Sequence, residues 1–406
     1  MEMAHVHWRD RAMVNYFEEA RKLFEYTQAL RRDFHRHPEM GFQEVRTSGI
    51  VARELEQLGL EVQTGIAKTG VIANLTGKDE KPVVLVRFDM DALPIQEEND
   101  VEYASQNLGI MHACGHDGHT AIGLSVARLL NAHRGELNGT VKFVFQPAEE
   151  GLGGAEEMVK EGVLENPKPD VVLALHLWNE QPIGWLGITQ GAVMAASDRF
   201  QLKIIGKGGH GATPHLVVDP ILASCQIVNS LQSIVSRNVP PLQSAVVTVT
   251  SIHGGEAFNV VPQEVVLKGT IRSYEKETRE MIHRRFDQIV KGVAQAFGCH
   301  AEVETWMVTP AVINDNIITR RVQEIAMGWL PRCTIDTNSR TMGSEDMTYF
   351  MQDIPGCYFF IGSSNERKGL TAAHHHPCFD FDEEALPIAT GLMATVVAEI
   401  LQASSQ

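Results

Sequence analysis

The chain has 406 residues, of which 44% are hydrophobic and 21% charged, and a formal net charge of −16 at pH 7. These values describe a globular protein long enough for two domains, and the acidity argues against a nucleic-acid partner, whose phosphates require clustered Lys and Arg. Its six cysteines, Cys114, Cys225, Cys299, Cys333, Cys357 and Cys378, are scattered without a Cys-x-x-Cys pair, which argues against a disulfide framework or a zinc ribbon.

Residues 11–60 read as helices, the last of them stopped by Gly59. From 61 to 190 strand and helix patterns alternate, which predicts a mostly parallel sheet covered on both faces. The apolar run Val83–Phe88 breaks into Asp89 and Asp91, where a carboxylate is suited to accept the N–H of a metal-ligating His. The segment Met111-His112-Ala113-Cys114-Gly115-His116-Asp117-Gly118-His119 then offers a thiol and three imidazoles before the helix-like stretch 120–130, and reads as one wall of a metal site. A thiolate is the form that binds metal, so a nearby dication would keep Cys114 deprotonated. The strand 141–145 leads to Glu149 and Glu150, which can divide the work of metal-assisted hydrolysis, one as ligand and the other as general base. The run Val171–Leu175 ends in His176, and sites in α/β sheets collect at strand ends.

The pattern changes after residue 190. Phe200 to Ile205, Ile221 to Val235, Ala245 to Ile252, Val265 to Ile271, Thr278 to Phe297 and His300 to Trp306 read as strand, helix, two strands, helix, strand, the order of a ferredoxin-like α+β unit. Within it, 206–211 matches G-x-G-x-x-G by letter. It lies far from any N-terminal βαβ unit and Ala212-Thr213-Pro214 follows where a helix should start, so a flexible loop presenting His210 is the better reading. Near the end, His374, His375 and His376 directly precede Pro377, which restricts its predecessor to extended geometry and stiffens the loop. A final helix is expected around 385–402. No apolar run approaches the ~20 residues of a membrane span. The first eight residues lack a basic segment followed by an apolar one, so a cytoplasmic location is expected.

The ordered motifs Arg87-Phe88-Asp89-Met90-Asp91-Ala92-Leu93-Pro94, Met111 to Asp117, Pro147-Ala148-Glu149-Glu150-Gly151, His176-Leu177-Trp178 and His375-His376-Pro377-x-Phe379-Asp380 resemble the M20 metallopeptidase/amidohydrolase family. Within it they look most like the subgroup of hippurate hydrolases, indole-3-acetyl-amino acid hydrolases and other N-acyl-amino acid amidohydrolases. The likeness runs from His35-Arg36-His37-Pro38-Glu39 to Asp380-Phe381-Asp382-Glu383. It implies an α/β, mostly parallel-sheet di-metal catalytic domain, 1–194 and 309–406, with an inserted ferredoxin-like lid and dimerisation domain, 195–308.

Carried over position by position, the resemblance implies two divalent ions about 3.5 Å apart with a bridging water. Cys114 would bridge, Glu150 and His375 would complete one site, and His116 and His176 the other. Arg87 departs from the wider family, which has a ligand His there. Asp89 would orient a ligand, Glu149 would serve as general base, and His210 in the lid would polarise the scissile carbonyl. Asn259 and Arg272 match lid positions for oxyanion or carboxylate recognition. The expected activity is amide hydrolysis of a small N-acyl amino acid, with Mn or Zn as the metal and Co or Ni admitted. Alternatives are a di- or tripeptidase of the same family and a non-catalytic metal-dependent binding protein. A homodimer or higher homo-oligomer through the lid is expected, with no nucleic acid or membrane as partner.

Overall fold

Val83–Asp89 and Thr140–Gln146 are buried along their whole lengths, as strands must be when both faces of a parallel pair are covered. The two run parallel, Val83–Asp89 runs parallel to Val171–Pro182, and that strand runs parallel to Gly356–Ser364. This four-strand parallel core is extended on one side by Gly70–Thr76 and Glu61–Ile66, and on the other by Trp185–Gly187 and Thr334–Asp336, to an eight-stranded sheet. The pairings of Gly70–Thr76 with both its neighbours and of Trp185–Gly187 with Gly356–Ser364 are antiparallel. The fold is therefore α/β with a mixed, mostly parallel sheet. The computed structural model describes residues 14–403, so the expected helical start at residues 11–13 lies outside the described residues.

Three helices precede the sheet: Tyr16–Lys22, Phe24–Arg36 and Val45–Gln57. The third lacks a side-chain cap of its own. Glu39 takes that role from the preceding loop, its two oxygens accepting the N–H groups of Arg46 and Thr47 at 2.9 and 2.8 Å. The helix His116–Ala132 is buried on almost every face, which marks a core helix. It packs against Ala385–Ala403, which also covers Tyr16–Lys22. Ala385–Gln402 is long and apolar enough by composition to cross a membrane, which the reading of apolar runs missed. With 83% of that window buried inside the fold, it is the central helix of the core.

The chain divides into two compact units. One comprises the chain up to Ile188, Asp315–Asn338 and the chain from Phe350. The other comprises Thr189–Asn314 and Ser339–Tyr349, so a short segment expected with the sheet unit belongs with the inserted one. The inserted unit has the strands Ala196–Ile205, Ala245–His253, Glu264–Ser273 and His300–Thr309 in an antiparallel sheet. Ala245–His253 and His300–Thr309 form its edges. The helices Pro220–Ser233 and Lys276–Ala296 supply Ile227, Leu231, Phe286 and Val290 to a separate hydrophobic core. That is the βαββαβ order read from the sequence.

Candidate active site

Asp89, Glu149 and Glu150 sit where strands of the sheet unit end, whereas His176, expected at a strand end, lies in the middle of a longer strand. Asp89 closes Val83–Asp89 and His176 lies within Val171–Pro182. Glu149 and Glu150 follow Thr140–Gln146 in a tight turn that begins with Ala148 at φ 56°. Gly154 makes this turn feasible, because a Cβ there would stand 1.7 Å from the Pro147 carbonyl oxygen. Cys114 and His116 flank Gly115, whose φ of 92° places it in the left-handed region as the cap of His116–Ala132.

Two triads of donor atoms share one member. Cys114, His116 and His176 form the first, Cys114, Glu150 and His375 the second, each with its ligand atoms within 4.8 Å of one another. Cys114 Sγ is 3.5 Å from His176 Nε2, and His375 Nε2 is 3.2 Å from Glu150 Oε1. Glu149 joins His116 and Glu150 in a further such group. All five residues read as metal ligands, and the acid read as general base, thus converge in one place.

A neutral imidazole has one N–H and one lone pair, and this separates ligands from supports. His116 Nδ1 faces the Asp91 carbonyl at 3.0 Å and its carboxylate at 3.3 Å, so Nε2 keeps its lone pair. His176 Nδ1 faces the Leu177 carbonyl at 2.6 Å, which leaves Nε2 directed toward Cys114. His119 has nothing left to give: Nδ1 faces Asp89 at 2.6 Å and Nε2 accepts the Leu177 N–H at 2.9 Å. His374 accepts the Asn179 N–H at Nε2 and turns Nδ1 toward Cys114 Sγ at 3.9 Å. His376 accepts the Cys378 N–H at Nδ1. Of the three adjacent histidines only His375, at φ 66°, presents a ring nitrogen to Glu150.

The electrostatics set the imidazoles apart in a different way: despite its burial, His116 is held well above its usual range by Asp89 and Cys114. Burial, followed by the like charge of His119 and His374, keeps His176 well below its usual pKa and therefore neutral. Burial takes His374 down to about 3. Hydrogen bonds to Cys114 and Glu150 push His375 up to about 10, while burial and then Glu150 raise the Cys114 thiol. Burial opposes ionisation of Asp89, but His116, Arg87 and His119 outweigh it and hold the carboxyl well below its usual range.

Among the described residues, buried His116 Nε2 has no hydrogen-bond partner, and Glu150 Oε1 faces only the His375 ring nitrogen at 3.2 Å. Orphaned buried acceptors are costly, and a cation between these donors would satisfy both, so the residues present fit a metal site.

The supporting residues differ from expectation in detail. Asp89 binds His119 and, at 2.6 Å, Arg87 Nη1; its Oδ2 stays 3.7 Å from His116 Nε2. Asp91, which also accepts the Glu150 N–H at 2.9 Å, is the acid that orients His116. His112, the remaining imidazole of the motif, is buried with neither ring nitrogen bonded among the described residues, and burial lowers it to about 4.

In the inserted unit, His210 is exposed and lies on a two-residue strand paired with Val260–Val261, so its segment is held in a short ladder and is not a free loop. The Asn259 carbonyl accepts the Gly211 N–H on the same ladder. Arg272 lies apart from that ladder, on the four-stranded sheet. Its Nε donates to Thr270 at 3.1 Å and its buried Nη1 has no hydrogen-bond partner among the described residues.

Residues 85–399 match the family described as Peptidase family M20/M25/M40. The chain belongs to the M20 family. An N-acetylcysteine deacetylase of Bacillus subtilis is 40% identical over 374 residues, covering 92% of this chain and 96% of its own. An IAA-amino acid hydrolase ILR1-like 4 of Arabidopsis thaliana is 39% identical over 382 residues, 93% of this chain and 86% of its own. Among solved structures, the Bacillus subtilis YXEP protein, described as a dinuclear metal binding peptidase from the M20 family, superposes with a TM-score of 0.82 at 35% identity, covering 94% of this chain and 99% of that one. These M20 relatives are hydrolases by name, and this chain is a hydrolase of the same family.

Proposed function

We propose that this M20 hydrolase cleaves the amide bond of N-acyl amino acids and releases a carboxylic acid and a free amino acid. The observation that carries the reading is Cys114 as the shared vertex of two donor triads with the Glu149 carboxylate beside them. The names of the deacetylase and the IAA-amino acid hydrolase support an N-acyl amino acid as substrate.

Cys114, His116 and His176 would hold one divalent ion and Cys114, Glu150 and His375 a second, with Mn or Zn suited to this mixture of thiolate, imidazole and carboxylate. When bound, such ions supply Lewis-acid activation of water and of the acyl oxygen. Glu149 accepts the proton of the attacking water and returns it to the leaving amine nitrogen. Asp91 and the Leu177 carbonyl fix the tautomers of His116 and His176. His210 is the proposed oxyanion donor. Its Nδ1 accepts the Ala212 N–H at 3.0 Å, so the neutral ring carries its proton on Nε2, ready to donate. Arg272 and Asn259 are assigned to recognition of the substrate's polar groups. A homodimer through the edge strand Ala245–His253 belongs to the same proposal, and light scattering of the purified protein tests it.

The deciding experiment measures amino acid release from N-acetyl, aromatic-acyl and indole-acetyl amino acids and from dipeptides, with Mn or Zn under reducing conditions. Turnover of an N-acyl class supports the proposal. Cleavage of dipeptides alone replaces it with a peptidase, and inactivity with metal bound replaces it with a binding function.

A further inference from the structure

Helix Phe24–Arg36 carries a guanidinium that is entirely buried. Arg31 Nε donates to Asp117 Oδ2 at 2.8 Å, Nη2 to Asp380 Oδ1 at 2.7 Å and Nη1 to Glu383 Oε1 at 3.3 Å. Its Cζ lies over the Phe381 ring, 4.3 Å from the centroid, and over the Tyr103 ring at 4.9 Å. Asp117 directly follows His116, and Asp380 lies five residues after His375. One cation therefore grips two chain segments that are more than 250 residues apart in sequence (380 − 117 = 263).

Both grips are reinforced by groups that leave little play. Asp117 Oδ2 also meets His35 Nδ1 at 2.7 Å, and His35 Nε2 meets Glu97 at 3.1 Å. Asp380 Oδ2 accepts the Tyr103 hydroxyl at 2.7 Å, and its Oδ1 accepts the Phe381 N–H at 2.8 Å. From Asp380 the connection continues inward. Its carbonyl accepts Asn179 Nδ2 at 3.0 Å, the Asn179 N–H bonds His374 Nε2 at 3.1 Å, and His374 Nδ1 faces Cys114 Sγ. The His375 N–H bonds the Ala113 carbonyl at 2.7 Å, which closes the circuit between the two segments.

We propose that Arg31 is a positioning residue that sets the spacing between the Cys114–His116 segment and the His374–His375 segment, and through it the affinity of the metal centre. The proposal rests on the reading of Cys114, His116, Glu150, His176 and His375 as ligands. The planar fork of a guanidinium reaches three carboxylates at fixed angles, whereas an ammonium is a point charge on a flexible stem. Charge alone would keep the acids neutralised, and the fork adds the spacing.

The test compares the metal affinity of the native protein with that of Arg31→Lys, Asp380→Asn and Arg32→Gln, by competition of Zn against a chromophoric chelator after metal removal, with circular dichroism as a check on folding. Arg32 binds the outer side of Glu383 at 2.6 Å without reaching Asp117 or Asp380, and so serves as the control. The expected result is a 10- to 100-fold loss of affinity in Arg31→Lys, the range found when groups that orient metal ligands are removed, with a comparable loss in Asp380→Asn and native affinity in Arg32→Gln. Added guanidinium ion should restore affinity in Arg31→Ala. Native affinity in a folded Arg31→Lys overturns the proposal, since the network would then stabilise the fold alone. If Arg31 variants do not fold, native affinity in Asp380→Asn overturns it equally. A native protein that binds no Zn would instead refute the ligand reading beneath it.

Discussion

His176 Nε2 and Cys114 Sγ face each other at 3.5 Å, joining the two donor triads at the thiol. Because both triads use that sulfur, Cys114→Ala should lower the affinity of both ions by more than about 100-fold, beyond the usual cost of losing an orienting group. Metal content by plasma mass spectrometry after dialysis checks this. Two ions retained per chain would remove Cys114 from the bridging role.

Glu149→Gln keeps the size of the side chain and loses its basicity. Turnover should fall by roughly 10²- to 10⁴-fold, the usual contribution of a general base, with metal content unchanged. Metal lost together with activity would make Glu149 a ligand.

The adjacent histidines should separate cleanly. His375→Ala is expected to lose metal. His376→Ala should bind it as the native protein does, since that ring is engaged with Cys378. His374→Ala should fall between them, because its ring packs on Trp178 at 5.0 Å and holds the Asn179 N–H. Isothermal titration of the three metal-free variants gives the ranking, and a His374 variant weaker than His375→Ala would reverse the assignment.

Glu44 gives a pH signature. It is fully buried and accepts the Thr69 hydroxyl at 2.6 Å and the Ala148 N–H at 2.9 Å. Burial outweighs these bonds and raises its pKa from 4.5 to about 7. The folded state therefore holds the proton longer than the unfolded state does. Stability from this group is complete below pH 4.5, falls as pH rises through about 7 and is flat above, a change on the order of 3 kcal/mol. In Glu44→Gln the metal-free protein should lose that slope between pH 4.5 and 7 in urea denaturation. A slope equal to the native one would assign it to other groups.

Much of the site was legible because its residues follow apolar runs: Asp89, Glu149 and Glu150 each lie at or just beyond the end of a buried strand, and His176 follows the apolar run that opens Val171–Pro182 although that strand continues beyond it. Which imidazole keeps a free lone pair was not legible. His119 is withdrawn from ligation by the N–H of Leu177, 58 residues away, and His374 by that of Asn179, 195 residues away. Local spacing carries no trace of either bond. Asp91 and Asp89 likewise differ by two positions on one segment, yet the first orients His116 and the second His119. The final helix was placed correctly, but its apolar character was underestimated because Glu399 and small residues interrupt the run.

The parallel pairing of Val172 with Gly356 also bears on how the chain assembles. That contact closes a loop of 184 residues (356 − 172), and long-range parallel pairing is slow because the chain entropy is lost before the contact repays it. The four-stranded antiparallel sheet of the inserted unit, drawn entirely from Ala196–Thr309, closes over shorter separations. It can therefore form while the larger sheet is still open. Cys114, His116, Glu150 and His176 precede the insertion and His375 follows it, so one donor triad is drawn wholly from the chain before the insertion and the other needs a residue from beyond it.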